Sequence, residues 1–196
     1  VDSSHKDILG RPVRDYRYVN ICSVDNAWPS PNAEACLARA QRAKLLTTCD
    51  CVWGFTQIPI DQPTREMLTL ATRRGLLQPN VLYFGVKQGP ALFQSLMDAT
   101  FTGLRDKNDD EFCSIFIDDA TIGTEPLRRD EPIEETEERH IEHLELFFSR
   151  AAERKICFKL AKCKWGWPEV ELLGFRVGGG YDDVMKRKPR PSANGP

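Results

Sequence analysis

The sequence predicts an α+β domain in which helices pack on one face of an antiparallel sheet. Three observations carry that expectation. Strand-like runs and helix-like stretches follow one another in the order β, α, β, β, α, β–β, α, β–β. Phe112 to Gly123 reads as a hairpin, two β-branched or aromatic runs around the adjacent Asp118 and Asp119. Glu134 to Lys155 has apolar residues at helical spacing and charge matched to the helix dipole, acidic first and basic last.

Taken in order, residues 1–10 are polar and loop-like, and Arg11 to Val19 reads as a strand closed by Asn20. Ala27-Trp28-Pro29-Ser30-Pro31 is a rigid connector, because each proline restricts itself and its predecessor. Asn32 can cap a helix over Ala33 to Ala43, which is rich in good helix formers. Leu45 to Cys49 is a short strand ending at Asp50, and Phe55 to Ile60 alternates as a second. Glu66 to Thr72 and Val81 to Phe84 are strand candidates around a turn at Gln78-Pro79-Asn80. Pro90 suits a first helical turn before Ala91 to Leu104. Asp106 to Glu111 is a charged loop, and Glu125 to Glu135 an acidic linker. On the long helix, Ile141, Leu144, Phe147, Phe148, Ala151 and Ala152 share a face. Cys157 to Leu160 and Val170 to Val177 read as strands joined through Lys162-Cys163-Lys164-Trp165. Beyond Gly178-Gly179-Gly180 the chain is basic and proline-rich and is expected to be disordered.

Composition narrows the function classes. With 196 residues the chain is sized for one ordinary domain or slightly more, and 41% hydrophobic residues suffice for a core. A net charge of −2 gives no global pull toward nucleic acid, so any basic surface is local. Seven cysteines without a regular framework point to a reducing, intracellular setting, and no apolar run is long enough to cross a membrane. Val1 in place of an initiator Met, and the Lys/Arg/Pro tail, read as cuts in something longer.

The chemistry concentrates on carboxylates. Two like charges roughly 4 Å apart repel by about 4 kcal/mol at an effective dielectric near 20. Asp118 and Asp119 therefore need either a raised pKa on one partner or a hard divalent cation. Asp50 ends its strand much as Asp118 ends Phe112 to Ile117. If those strands are neighbours, three carboxylates meet at one sheet edge, the composition of a two-metal site for phosphoryl transfer. The plain alternative is an acidic turn and a strand-ending Asp. Tyr181-Asp182-Asp183 lacks a preceding apolar strand, and His140, His143, Cys157 and Cys163 lack the spacing of a standard zinc site. Gly178-Gly179-Gly180 lacks the context of a phosphate-binding loop.

From about Lys6 to Val177 the sequence resembles reverse transcriptases of long-terminal-repeat retrotransposons of the Ty3/gypsy kind. Lys6-Asp7 and Arg11-Pro12-Val13-Arg14-Asp15-Tyr16-Arg17-Tyr18-Val19-Asn20 resemble that family's fingers segment. Trp28-Pro29-Ser30-Pro31 resembles its "Y-P-L-P", and Asp50-Cys51-Val52-Trp53-Gly54-Phe55-Thr56-Gln57-Ile58 its "D-L-x-x-G-Y-x-Q-I". Phe84-Gly85-Val86-Lys87-Gln88-Gly89-Pro90 resembles "F-G-L-x-N-A-P", and Phe116-Ile117-Asp118-Asp119 the aromatic-x-Asp-Asp box. Glu138 to Leu144 resembles "E-E-H-x-x-H-L", and Lys162 to Trp165 with Val170 to Phe175 resembles "K-C-x-F…V-x-F-L-G-H". Each box alone is weak, and their shared order is what makes the likeness specific.

The resemblance implies a polymerase palm with a partial fingers subdomain and no thumb. Residues 1–49 would be partial fingers leading into the palm, 50–60 the strand with the first catalytic Asp, 61–90 a fingers insertion, 91–177 palm, and 178–196 the disordered tail. It implies that Asp50, Asp118 and Asp119 hold two Mg²⁺ ions, with Mn²⁺ as a substitute and the Cys51 carbonyl assisting. Phe55 falls at the sugar gate under the incoming nucleotide, and Arg11 and Lys6 where the triphosphate is gripped. Phe84, Gly85 and Gln88 would line the nucleotide pocket, and Lys162 would protonate the leaving pyrophosphate. Implied partners are an RNA or DNA template with its primer, a deoxynucleoside triphosphate, and the thumb, connection, ribonuclease H and integrase regions of a longer polyprotein. No membrane is implied, and the setting would be cytoplasm or a virus-like particle. His5, Pro79, Tyr83 and Lys87-Gln88-Gly89 depart from the family pattern. The competing reading is a retroelement remnant that binds nucleic acid through Arg11, Arg14, Arg17, Arg73 and Arg74 without polymerising.

Overall fold

The computed structural model describes residues 14–24, 28–179 and 186–187. The chain divides into two compact units, Val1–Pro29 with Trp53–Ser95, and Ser30–Val52 with Leu96–Pro196.

The first unit contains helix α1 (Arg17–Cys22), helix α3 (Gln62–Met67), the hairpin β2 (Leu70–Thr72) and β3 (Gly75–Leu77), and a 3₁₀ turn at Gly54–Gln57. Several strand expectations are corrected here. The described part of Arg11 to Val19 is not a strand, because the Asp15 carboxylate accepts the Arg17 backbone N–H at 3.1 Å and turns the chain into α1. Phe55 to Ile60 gives way to the 3₁₀ turn, since Trp53 adopts φ 52° and its carbonyl accepts both the N–H and the hydroxyl of Thr56. Glu66 to Thr72 divides into the end of α3 and β2. Asp61 caps α3 by accepting the Thr64 N–H at 3.1 Å, with proline in the first turn. Val81 to Phe84 retains only a single bridge, Pro59 to Val81.

The second unit holds α2 (Ala33–Arg42), β1 (Leu45–Asp50), the final residues of α4 (Gly89–Phe101), β4 (Cys113–Phe116), β5 (Asp119–Thr124) and α5 (Ile133–Glu153). It continues through β6 (Lys164–Trp167), β7 (Glu169–Leu172), β8 (Phe175–Gly178) and β9 (Lys186–Arg187). One sheet runs β4-β5-β1-β6 and is antiparallel throughout. A second, β7-β8-β9, includes Lys186–Arg187, inside the stretch expected to be disordered. Tyr181-Asp182-Asp183 and the remaining tail lie outside the described residues. Cys157 to Leu160 is not a strand. Phe158 makes one bridge to Cys51, and a 3₁₀ turn follows at Leu160–Lys162.

Strand β1 has two working faces, because successive side chains alternate. Leu46 is fully buried with Leu37 and Ala40 of α2, Ala43, and Val170, Leu172 and Val177 of the β7–β8 hairpin. Thr47, next along, meets His140 of α5. Helices α2 and α5 therefore cover opposite faces, not one face as expected, because β1 buries both its odd and its even residues. The buried face of α5 is also rotated from expectation. It presents Thr136, Arg139, His140, His143, Phe147 and Ala151, while Ile141 is 57% exposed. Phe147 stacks on Phe101 at 4.4 Å and meets Phe158 at 5.4 Å, which fixes the far end of the helix.

Candidate active site

The register of β1 with β5 is unbroken from Leu45↔Thr124 to Asp50↔Asp119. Asp50 and Asp119 are thus direct cross-strand neighbours, whose Cβ atoms in such pairs lie about 4.5–5.5 Å apart. β4 pairs with β5 up to Phe116↔Asp119, so the hairpin turn is Ile117-Asp118 and Asp119 already belongs to the strand. The sequence reading placed both aspartates at the tip, one residue too far. Ile117 takes φ 55°, the positive value that a two-residue hairpin demands and a β-branched residue resists. The turn is tied to β1 where the Cys51 N–H donates to the Asp118 carbonyl at 3.0 Å.

The far edge of β1 supplies a cation. The Lys159 N–H donates to the Asp50 carbonyl at 2.8 Å, and the Lys162 ammonium reaches the Asp50 carboxylate at 2.5 Å. A cleft of about 300 Å³ opens there, lined by Thr48, Asp50, Asp119, Thr121, Lys162 and Glu171, among others. Burial, and then the charges of Asp118 and Asp50, raise the Asp119 carboxyl above its ordinary range, with Lys162 opposing. Cys51, on the other face of β1, is pushed up to about 12 by burial and then by Asp118, Asp50 and Asp119. The three carboxylates share one electrostatic neighbourhood that is short of positive charge. Their hard oxygen donors suit a divalent cation. As placed, no set of three His, Cys, Asp or Glu among the described residues forms a ready metal-binding group, and Lys162 stands against Asp50.

The remaining candidates fall in the other unit or outside the described residues. Phe55 sits in the 3₁₀ turn, 5.3 Å from the Phe84 ring and edge-on to Phe93 at 6.0 Å. Gly85 has φ 100°, and a Cβ there would lie 2.9 Å from the Arg14 carbonyl, so glycine is required. Gln88 donates to the Val24 carbonyl. Lys6 and Arg11 lie outside the described residues.

Sequence reasoning missed the part played by four residues. Asn20 ties the 85–88 loop by donating to the Gly85 carbonyl and accepting from the Lys87 N–H, each at 2.8 Å. Glu171 brings a third acidic side chain to the cleft beside Asp50 and Asp119, visible only once the β7–β8 hairpin is seen to lie along it. His140 and His143, set aside as a false zinc pair, form hydrogen bonds to threonines, and their i, i+3 spacing was the available signal.

An antiparallel sheet carrying aspartates at a hairpin and on the neighbouring strand, flanked by helices, is the architecture of a polymerase palm. Residues 9–177 match the family described as reverse transcriptase (RNA-dependent DNA polymerase), and the chain belongs to that family. It is 26% identical over 170 residues to the enzymatic polyprotein of Cauliflower mosaic virus (strain D/H), covering 87% of this chain and 23% of that protein. It is 28% identical over 167 residues to the retrovirus-related Pol polyprotein from transposon 297 of Drosophila melanogaster, covering 85% of this chain and 14% of that protein. The chain thus spans less than a quarter of the length of these relatives. Among solved structures, the foamy viral protease-reverse transcriptase in complex with double-stranded DNA aligns with a TM-score of 0.71 at 23% identity, over 85% of this chain and 26% of that one. The complex of the foamy viral protein with an RNA/DNA hybrid aligns at 0.67 and 24% identity, over 84% of this chain and 20% of that one.

Proposed function

We propose that the chain is the palm and part of the fingers of an RNA-directed DNA polymerase from a Ty3/gypsy-type retroelement, joining deoxynucleotides to a primer 3′-hydroxyl. The observation that carries this reading is the register that sets Asp50 opposite Asp119, with Asp118 in the adjoining turn. Asp50, Asp118 and Asp119, with the Cys51 carbonyl, would hold two Mg²⁺ or Mn²⁺ ions. Bound there, the ions would supply Lewis acidity toward the attacking hydroxyl and charge neutralisation on the triphosphate. Asp50 would exchange the Lys162 ammonium for a metal. Lys162, which lines the same cleft, would then give a proton to the departing pyrophosphate. Phe55, braced by Phe84 and Phe93, would discriminate the sugar by steric exclusion of a 2′-hydroxyl. Phe84, Gly85 and Gln88 would line the nucleotide pocket, and Lys6 and Arg11 would bind the triphosphate. In domain terms, residues 1–49 would be partial fingers leading into the palm, 50–60 the palm strand with the first catalytic Asp, 61–90 a fingers insertion, and 91–177 palm. Template with primer, a deoxynucleoside triphosphate, and the other regions of a polyprotein would be the partners. Among the described residues no helix is long and apolar enough to cross a membrane.

Primer extension on an RNA template with Mg²⁺ tests the reading. The expected result is extension that Asp118→Asn abolishes, a loss of at least about 10³-fold. Phe55→Val should admit ribonucleotides more readily in an extending protein. No extension, beside nucleic-acid binding that weakens with salt, would overturn the polymerase reading in favour of a binding remnant.

A further inference from the structure

A chain of buried hydrogen bonds crosses the second unit on the face of β1 away from the carboxylate cleft. The Gly166 N–H meets Thr47 Oγ1 at 3.0 Å, and Thr47 Oγ1 meets His140 Nε2 at 2.8 Å. Thr124 Oγ1 lies 2.8 Å from both His140 Nδ1 and His143 Nδ1, and His143 Nε2 lies 3.3 Å from Asp106 Oδ2. Thr47 and Thr124 are fully buried, and His140 and His143 are nearly so.

With both rings neutral, the two ends fix the direction of every bond. A backbone N–H can only donate. Asp106 is an acceptor, since its other oxygen already takes the N–H groups of Asn108 at 2.8 Å and Asp110 at 3.0 Å. His143 therefore donates from Nε2 and accepts at Nδ1. Thr124 gives its proton to that Nδ1 and must receive one from His140 Nδ1. His140 then accepts at Nε2 from the Thr47 hydroxyl, whose oxygen receives the Gly166 N–H. Five hydrogens fill five bonds. The two neutral rings are then in opposite tautomers, and one more proton on either ring would oblige the facing threonine hydroxyl to turn its own hydrogen out of the chain.

Gly166 lies at a discontinuity. β1 and β6 pair at Leu46↔Trp167 and Thr48↔Lys164, with a slip between them. The Thr47 hydroxyl stands in for the missing ladder carbonyl at that slip. The segment so fastened begins with Lys159 and Lys162, which grip the backbone and carboxylate of Asp50.

We propose that Asp106, His143, Thr124, His140 and Thr47 form a polarised positioning relay that holds the Lys162-bearing edge segment in register against Asp50. Its bearing on catalysis rests on the polymerase reading, while its structure does not. The charged groups facing the rings are Asp106 from the 106–110 loop, with Arg139 and Glu142 from α5 itself. β1 and β5 face them with the hydroxyls of Thr47 and Thr124.

Side-chain ¹H–¹⁵N NMR on the full chain tests the polarity. His140 is expected protonated on Nδ1 and His143 on Nε2, and the opposite tautomer in either ring overturns the relay. Thr124→Val removes the middle hydroxyl, while Thr124→Ser keeps it. In Thr124→Val, His140 should move its proton to Nε2, compete for Thr47 Oγ1, and speed Gly166 amide exchange about tenfold. Thr124→Ser should behave as the native chain. Equal Gly166 exchange in the two variants overturns the proposal, and if Thr124→Val does not fold, the native tautomers decide alone. Primer extension separates the two readings: a native chain with the expected tautomers and no extension sinks the polymerase reading and leaves the relay standing.

Discussion

Ile117 is the residue under most local strain at the site. A non-glycine side chain at φ 55° costs on the order of 1 kcal/mol or more, and β-branching adds to it. Glycine tolerates that backbone, as the first residue of a two-residue turn with positive φ there alone, so Ile117→Gly should raise stability by up to about 1 kcal/mol, read from a urea midpoint. A clear loss would mean that Ile117 packs more than it strains. Asp119, crowded by Asp118 and Asp50, gives the opposite trade. Asp119→Asn should raise the urea midpoint of the free chain while removing extension, as expected where function opposes stability. The carboxylates could be read from the sequence because an apolar strand before each is a local signal. Their turn was misplaced by one residue because Ile117 has no propensity for the conformation it adopts. The Lys162 contact was invisible, since it depends on a 3₁₀ turn 112 residues away in the chain from Asp50.

At the scale of elements, periodicity located α2, β1, α4, β4, β5 and α5 to within a few residues. It failed where a local side-chain bond overrode strand propensity, as at Asp15, Thr56 and Asp61. It also misjudged the buried face of α5, because an apolar count cannot see that His140 and His143 are satisfied by threonines of β5 and β1. The β7–β8 hairpin, which contributes Glu171 to the cleft, depends on Gly178. A Cβ built there would lie 2.1 Å from the Pro168 carbonyl, at φ 122°. Gly178→Ala should therefore cost at least about 2 kcal/mol and loosen the amides of Val170 and Val177 in hydrogen exchange. Unchanged protection would show that the hairpin can shift away from its neighbour.

For the whole molecule, acid stability follows from the buried histidines. Burial holds His140 down at about 4, against 6.5 for a free ring. The folded ring stays neutral while the unfolded chain gains a proton, so stability is complete above about pH 6.5 and falls as pH drops toward about 4, by on the order of 3 kcal/mol. His143 is lowered as well, by burial first. Glu131, held low by hydrogen bonds from Thr136 and Arg139 against the opposing effect of burial, acts in the same direction. Urea midpoints at about pH 7.5 and about pH 5 check this, and equal values would show that the folded ring takes up the proton. The family was legible across the whole chain because its boxes keep their order. The division into two units was not, since it depends on contacts between distant segments.

A strand whose odd residues feed the histidines and whose even residues feed the acidic cleft has a particular vulnerability. Deleting one residue between Leu46 and Asp50 would send every remaining side chain on one side of the cut to the wrong layer, exchanging wet chemistry for dry scaffolding. Natural variation within these six positions should consequently be confined to replacements, with length itself held fixed.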